Sequence, residues 1–245
     1  MNNFGKIVDG SNLGELNSSL QQSILDNKIL VIKNAKDEHR NLIKNLLKDD
    51  KTLLYEDSYN CDNICNMQNS KPGDYAYYAR WQLDFCWDRE AADICSLRVL
   101  ELGHENTKMI WVDLEKIRNL INEEMFNFIT KQVIVGWNLS NSRDLASRQN
   151  SQDYKHPALR IHPETGKESV YYSGPSTIGK DNDVWQQYLK YLLEFFQDAN
   201  NQFSVDLEKD DIIVWDNRCT SYTYSGSTGA KMQKMMIVGS KPFWY

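Results

Sequence analysis

Histidine is the side chain that most often binds metals and transfers protons near neutral pH, and this chain has only four. His156 and His162 have the same parity along the chain, so on a strand they would point to one face. His39 falls in a predicted amphipathic helix and His104 follows a glycine, so we expect both at the surface. Four histidines are few for a metal-dependent hydrolase, although the count alone does not exclude one.

The five cysteines predict neither a disulfide framework nor a zinc site. Cys61 and Cys65 are close in sequence, but no second pair and no nearby histidine completes a set of zinc ligands. An odd number of scattered cysteines is typical of free thiols in a cytoplasmic protein. We therefore expect buried or half-buried thiols.

Composition and charge narrow the class of protein further. The 245 residues are 41% hydrophobic and 25% charged, which is typical of a globular chain, and the length predicts one domain over residues 1–245. The net charge of −6 gives no electrostatic reason to expect a nucleic-acid partner. No apolar run approaches the about 20 residues that cross a bilayer, and no signal peptide is evident. We expect a cytoplasmic protein with a small-molecule partner and no membrane partner; a homo-oligomer stays open.

Hydrophobic periodicity predicts helices early in the chain and strands through its middle and end, an α+β pattern with a sheet sandwich or barrel as its core. Predicted helices carry Leu13 to Ile24, start at Asp37, run from Leu114 to Phe128, and start at Asp181 or Asp183. Predicted strands include 28–33, two between 92 and 111, 133–137, 211–215 and 234–238, with a hairpin over 156–172 that turns at Gly166. The segments 50–80 and 138–154 and the Ser/Thr/Gly-rich stretch before Lys234 are predicted to be loops.

Two motifs carry a family resemblance. His156-Pro157-Ala158-Leu159-Arg160-Ile161-His162-Pro163-Glu164-Thr165-Gly166, and Trp215-Asp216-Asn217-Arg218 after an apolar strand, resemble the TauD/TfdA family of Fe(II)- and 2-oxoglutarate-dependent dioxygenases. The order of elements agrees over nearly the whole chain, including the closing Gly239-Ser240-Lys241-Pro242-Phe243. The resemblance implies a double-stranded β-helix, or jelly-roll, core with flanking helices. It also implies that His156, His162 and the Trp215–Arg218 segment belong to the scaffold, although Arg218 could reach the cavity.

The family chemistry uses two histidines and one carboxylate that leave iron positions open for 2-oxoglutarate and oxygen. By the resemblance, the His-x-Asp pair of that triad corresponds to Gln82 and Asp84, and the second histidine corresponds to Tyr222. An amide oxygen is a poor substitute for imidazole, and a phenol with a pKa of about 10 is a weak ligand for Fe(II). We therefore predict that the iron site is lost and that no metal is bound.

The positions that hold 2-oxoglutarate also differ from the family pattern. The arginine that pairs with its distal carboxylate corresponds to Lys234, which keeps the charge but loses the bidentate fork. A second basic residue corresponds to Ala230, and the usual threonine corresponds to Met109. Fe(II) and 2-oxoglutarate, which the resemblance implies as cofactors, are accordingly not expected here.

Three hypotheses follow from these replacements. The first is a metal-independent enzyme acting on a small polar molecule in specialised metabolism, with Asp84 as general acid or base and Tyr222 as proton donor or hydrogen-bonding partner. In it Gln82 is the third catalytic residue, and Lys234, Arg218 and Met109 bind the substrate, Lys234 as the anchor of an anionic group. The second is a non-catalytic pseudoenzyme whose cavity is closed by Met109 and aromatic side chains. The third is an oxygenase with unorthodox ligands.

Overall fold

The computed structural model describes residues 4–11, 13–46, 54–60, 81–86, 90–103, 106–135, 155–172, 183–225, 230–239 and 241–243. Several sequence features lie outside these residues: Cys61, Cys65, His104 and the segment 138–154. So do Tyr75, Tyr77 and Tyr78, which from sequence could equally be sheet aromatics or line the mouth of the pocket.

Four of the five described helices begin where the sequence predicts them. Their bounds are α1 Leu13–Asn27, α2 Asp37–Leu46, α3 Leu114–Arg118, α4 Glu123–Ile129 and α5 Asp183–Gln197, with a short 3-10 turn at Ala199–Asn201. In the part of the chain that the structure describes, no helix is both long and apolar enough to cross a membrane.

The strands alternate with helices up to α2 and then follow one another in groups. Their bounds are β1 Lys6–Asp9, β2 Ile29–Lys33, β3 Leu54–Asn60, β4 Ala92–Glu101, β5 Lys108–Asp113, β6 Val133–Val135, β7 Lys155–Pro157, β8 Leu159–Ile161, β9 Glu168–Val170, β10 Gln202–Asp206, β11 Ile212–Asp216, β12 Thr220–Ser225 and β13 Lys231–Val238.

Two sheets face each other across the main core. The larger has the order β1-β2-β11-β4-β13-β3, with β1 parallel to β2 and the other neighbours antiparallel. The smaller has the antiparallel order β10-β5-β12. Two further strand pairs, β6-β7 and β8-β9, complete the described strands. This arrangement of mixed sheets and helices is the predicted α+β jelly-roll-like architecture.

The central strands of the larger sheet are buried on both faces, which explains the continuous apolar sequences of β2 and β11. Ile213 and Trp215 point into the sandwich, whereas Ile212 and Val214 pack with the apolar residues of α1 and α2. On β13 the same alternation puts Met232 and Met236 inside the sandwich. Because side chains on a strand alternate between faces, Lys234, midway between these methionines, also faces the interior of the sandwich.

Three predicted boundaries were wrong. Part of the predicted 50–80 loop is β3, which pairs with β13 as the edge strand of the larger sheet. The predicted helix from Leu114 to Phe128 is two helices, because Asn122 caps the start of α4 by accepting a hydrogen bond from the Met125 amide at 2.8 Å. Part of the predicted loop before Lys234 is β12, whose ladder with β5 supplies the backbone hydrogen bonds of that polar segment.

The prediction that His39 is a surface residue was also wrong. Its side chain is fully buried, with Nε2 2.7 Å from the Gly10 carbonyl oxygen and Nδ1 accepting the Lys36 amide at 2.9 Å. A β-carbon on Gly10 would lie only 2.9 Å from two carbonyl oxygens, so the chain passes too close here for a larger residue. His39 therefore ties the start of α2 to the end of β1.

Gly166 gives a direct test of the predicted hairpin turn. Its φ is +70°, as the turn prediction requires, and a β-carbon there would meet no atom within 4 Å. Gly166→Ala should therefore lower the free energy of unfolding by about 1 kcal/mol through backbone conformation alone, and Gly166→Asn by less. Urea unfolding of the three proteins checks this, and an alanine variant as stable as the parent would contradict the turn.

Candidate active site

The backbone near Asp84 is fastened to the smaller sheet at Tyr222. Gln82 and Tyr222 form an antiparallel bridge in which each amide donates to the other's carbonyl, at 2.7 and 3.0 Å. The Ser221 hydroxyl also donates to the Gln82 carbonyl at 2.9 Å. This bridge sets the side chains of Gln82 and Tyr222 next to each other although they are far apart in sequence.

Asn217 fixes the backbone of Asp84 from a second direction. Its side-chain oxygen accepts the Asp84 amide at 3.0 Å, and its amide nitrogen donates to the carbonyls of Asp84 at 2.9 Å and Ala92 at 2.8 Å. A buried side-chain amide that completes backbone hydrogen bonds is a rigid support. The asparagine of the Trp215–Arg218 motif therefore positions the candidate acid–base residue.

Lys234, Asp84 and Tyr222 form one hydrogen-bonded cluster, which we call the Lys–Asp–Tyr cluster. The Lys234 ammonium donates to Asp84 Oδ1 at 2.5 Å and to the Tyr222 hydroxyl at 2.6 Å. The Tyr222 hydroxyl lies 2.9 Å from Asp84 Oδ1 and 3.2 Å from Gln82 Oε1, within donating distance of both. The three residues are 8%, 9% and 1% exposed, so the ion pair lies almost entirely out of water.

Aromatic rings surround the ammonium. The Lys234 nitrogen is 4.8 Å from the centre of the Tyr222 ring and 5.6 Å from that of Trp215. Trp215 in turn contacts Tyr222 and Trp111 edge to face. Cation–π attraction adds to the charge pairing with Asp84, so the ammonium is held by two kinds of interaction.

The second oxygen of Asp84 has a different environment. Among the described residues, no N–H or O–H group donates to Oδ2, although the atom is buried. The nearby Cys95 is a fully buried thiol; burial, and then the negative charge of Asp84, raise its pKa well above the ordinary value. Cys95 is therefore neutral, and the cluster contains one positive and one negative side chain.

The remaining two residues predicted to bind substrate lie elsewhere. Met109 is fully buried on β5, in the same apolar core as Tyr222 and Trp215. The described side-chain contacts of Arg218 are with Asp216, with Glu164 at 2.5 Å and with Asp93 at 3.9 Å. The surface pocket that Arg218 lines is formed by residues outside the Lys–Asp–Tyr cluster. Substrate binding by these two residues stays a prediction.

Arg218 belongs to a buried network that joins the two sequence motifs. Its guanidinium donates to both oxygens of Asp216, at 2.9 and 2.7 Å, and His162 Nε2 lies 2.9 Å from Asp216 Oδ2. His162 Nδ1 accepts the backbone amides of Glu164 and Thr165, so Nε2 carries the proton that bonds to Asp216. His162, Asp216 and Cys219 are also close enough to resemble a metal site. However, the histidine nitrogens and the carboxylate oxygens already have partners, which makes this a structural network.

Sequence reasoning missed the roles of Trp215 and Asn217 in forming the site. The signal for Trp215 was present, because it has the same parity on β11 as the inward-facing Ile213. Asn217 gave no such signal, since it lies just past the strand and its partners are distant in sequence.

Comparison with known proteins places this fold in a family. The sequence profile of the taurine catabolism dioxygenase TauD, TfdA family matches residues 2–221. The chain therefore belongs to the TauD/TfdA family. No curated protein matches the sequence.

Three solved structures share the fold at low sequence identity. A protein of Burkholderia xenovorans assigned as an alpha-ketoglutarate-dependent taurine dioxygenase has a TM-score of 0.75 at 14% identity, covering 98% of this chain and 88% of its own. A taurine dioxygenase of the same organism has a TM-score of 0.72 at 16% identity, with coverages of 98% and 89%. AAD-2, in complex with Mn(II) and N-oxalylglycine, has a TM-score of 0.73 at 16% identity, with coverages of 99% and 96%.

The motif network makes a prediction about acid stability. Burial alone would raise the pKa of Asp216, but the hydrogen bonds from His162 and Arg218 and the Arg218 charge outweigh it and hold the pKa far below its usual value. A carboxyl group whose pKa is lower in the folded protein than in the unfolded chain stabilises the fold at pH values above its unfolded pKa, which is about 4 for aspartate. This contribution is lost as the pH falls below that value. The free energy of unfolding should therefore start to fall at about pH 5 and keep falling as the pH is lowered further, until the folded protein also takes up the proton.

Asp216→Asn should remove most of that dependence. It should also cost about 3 kcal/mol at pH 7, because the buried Arg218 loses its main partner. Urea unfolding at a series of pH values measures both effects, with the exposed Asp206→Asn as the control. An Asp216→Asn variant with the same acid dependence as the parent would show that the network does not hold this carboxylate ionised.

Proposed function

We propose that this TauD/TfdA family protein no longer uses iron and 2-oxoglutarate and instead performs metal-independent acid–base chemistry on a small polar molecule. The observation that carries the proposal is the Lys–Asp–Tyr cluster itself. Its three groups lie within 2.9 Å of one another inside the sandwich, in the region to which the resemblance assigns the iron ligands.

The donor set does not fit the Fe(II) centre that the family implies. Such a centre has two imidazoles and one carboxylate, whereas these positions hold the Gln82 amide, the Tyr222 phenol and Asp84. Asp84 Oδ1 already accepts from the Lys234 ammonium and lies within hydrogen-bonding distance of the phenol. A divalent cation beside Asp84 would also meet the positive charge of Lys234, and this repulsion is strong away from water.

The residues fit 2-oxoglutarate no better. Lys234 corresponds to the arginine that pairs with the distal carboxylate of 2-oxoglutarate, but its ammonium is already paired with Asp84 at 2.5 Å. Ala230, at the second basic position, is neutral and fully buried. These two observations support the loss of the cofactor together with the metal.

The cluster does contain the groups that proton transfer requires. A catalytic base must lie within about 3 Å of the proton that it removes, and Asp84 Oδ2 is the carboxylate oxygen without an N–H or O–H partner among the described residues. In the proposed step, Asp84 takes a proton from the substrate while the Tyr222 hydroxyl gives its proton to the oxygen that becomes negative. The Lys234 ammonium, 2.6 Å from the phenol oxygen, stabilises the phenolate that results.

The class of binding partner and the cellular compartment are proposed from the amino-acid composition. The net charge of −6 favours a small molecule over nucleic acid, and we propose a cytoplasmic enzyme of specialised metabolism. Net neutrality of the Lys–Asp–Tyr cluster favours a polar substrate without a large charge of its own, unless Lys234 leaves Asp84 to anchor an anionic group.

A second candidate function is a non-catalytic binding protein. It predicted a cavity closed by Met109 and aromatic side chains, and the specific observation in its favour is that Met109, Trp111 and Trp215 are all fully buried around Tyr222. The mutual hydrogen bonding of Lys234, Asp84 and Tyr222 also gives each of these side chains a partner without a ligand. Turnover of any substrate distinguishes the enzyme from the binding protein.

Metal analysis tests the loss of iron and, with it, the third hypothesis of an unorthodox oxygenase. Protein loaded anaerobically with Fe(II), desalted and analysed for metal should retain far less than one equivalent. Supplied with 2-oxoglutarate, ascorbate and oxygen, it should release no succinate above a protein-free control. Stoichiometric Fe(II) together with oxygen-dependent succinate release would overturn the proposal.

Substrate turnover tests the catalytic residues. We expect EDTA-treated protein, incubated with a polar small-molecule extract and followed by mass spectrometry, to consume a compound and form a product of equal or simply related mass. Asp84→Asn and Tyr222→Phe should each slow this conversion at least about 100-fold, because each removes a proton-transfer group. The matched controls Asp206→Asn and Tyr191→Phe, both at half-buried or exposed positions, should keep the parent rate.

Two results would count against this assignment. Full activity in Asp84→Asn would remove the carboxylate from the mechanism, and loss of activity on EDTA treatment would return the chemistry to a metal. If the parent protein binds a compound from the extract without converting it, the binding-protein alternative replaces the enzyme.

A further inference from the structure

The Lys234 ammonium sits where side-chain oxygens from two other segments converge. It contacts Asp84 Oδ1 at 2.5 Å and the Tyr222 hydroxyl at 2.6 Å, and that hydroxyl is 3.2 Å from Gln82 Oε1. A carboxylate, a phenol and an amide oxygen around one positive charge resemble the oxygen ligands of a hard cation.

Lys234 lies on a different strand from the residues whose oxygens it contacts. Lys234 extends inward from β13, which pairs with β4 and β3, whereas Tyr222 is on β12 in the opposite sheet. The backbone of Gln82 is hydrogen-bonded to that of Tyr222, and Asp84 follows Gln82 in the same segment. The oxygens are therefore held by the Gln82–Tyr222 bridge and by Asn217, independently of Lys234.

We propose that the Lys234 ammonium is the resident cation of this site and that it excludes divalent metal ions from the oxygens of Asp84, Tyr222 and Gln82. The inference deepens the proposed loss of iron, on which it rests, by assigning the exclusion to one residue. Replacing imidazoles by Gln82 and Tyr222 removes two good ligands, but the ammonium also neutralises the one carboxylate that remains.

Exclusion by charge makes a prediction that loss of ligands alone does not. If only the ligands matter, restoring histidines at positions 82 and 222 restores metal binding whether or not Lys234 is present. If the ammonium excludes the metal, the histidines bind it only after the ammonium is removed. The two effects separate in a set of four proteins.

The experiment titrates Co(II), followed by its visible absorption and by calorimetry, into the parent, Lys234→Ala, Gln82→His/Tyr222→His, and the triple variant that combines all three changes. We expect no stoichiometric binding in the parent and none in the double variant. The triple variant should bind one Co(II) at least about 100-fold more tightly than the double variant, because a positive charge within a few ångströms has been removed. Lys231→Ala, an exposed lysine on the same strand, replaces Lys234→Ala in the matched control and should have no such effect.

Equal Co(II) affinity of the double and triple variants would overturn the exclusion by Lys234, even if the parent protein still acts without metal. Stoichiometric binding of Fe(II) by the parent would instead overturn the proposed function, so the two failures are distinguishable. Circular dichroism and thermal unfolding establish that each variant is folded. If the alanine variants do not fold, Lys234→Gln removes the charge but keeps an N–H donor toward Asp84, and the same comparison of affinities decides the outcome.

Discussion

The buried ion pair between Lys234 and Asp84 is the interaction on which the interior of this protein depends. Each of these charges would be costly to bury alone. Removing one partner of such a buried pair typically lowers the free energy of unfolding of the protein by about 3–5 kcal/mol. Tyr222 lies within hydrogen-bonding distance of both partners, so three side chains from three segments constrain one another. By the family resemblance this is the region of the metal site, and the proposed chemistry rests on an ammonium in place of a metal ion there.

The two family motifs serve the scaffold and the site in different ways. Asp216, Arg218 and His162 form a closed network that is satisfied without any ligand. Asn217 lies between Asp216 and Arg218 in sequence, and its side chain forms hydrogen bonds with the backbone of Asp84. The same short segment therefore supports both the motif network and the backbone of the Lys–Asp–Tyr cluster.

Much of the fold could be predicted from local sequence patterns, and the rest depends on contacts between distant residues. The apolar run over Ile29–Ile32 is buried on both faces and was recognisable as a strand from its residues alone. The strand β3 was not recognisable, because its ladder with β13 rather than its own composition makes it a strand. His39 misled for a related reason: an amphipathic pattern places a histidine at the helix surface, but the Gly10 carbonyl, far away along the chain, gives it a buried partner.

The candidate site divides in the same way. The correspondence with family motifs singled out Gln82, Asp84, Tyr222 and Lys234, and the structure brings these four together. The motif correspondence assigned Lys234 to an anionic ligand, and no local pattern indicates that its partner is a carboxylate 150 residues away. From sequence, Arg218 was assigned to the scaffold although it could reach the cavity, and its described contacts are those of the scaffold.

The most direct test of the central claim is a crystal structure of the protein soaked anaerobically with Fe(II) and 2-oxoglutarate, with anomalous diffraction recorded at the iron edge. We expect no anomalous peak beside Asp84, with the Lys234 ammonium still within hydrogen-bonding distance of Asp84 and Tyr222. A strong iron peak between Asp84 and Tyr222, with Lys234 turned away toward a bound 2-oxoglutarate, would contradict it.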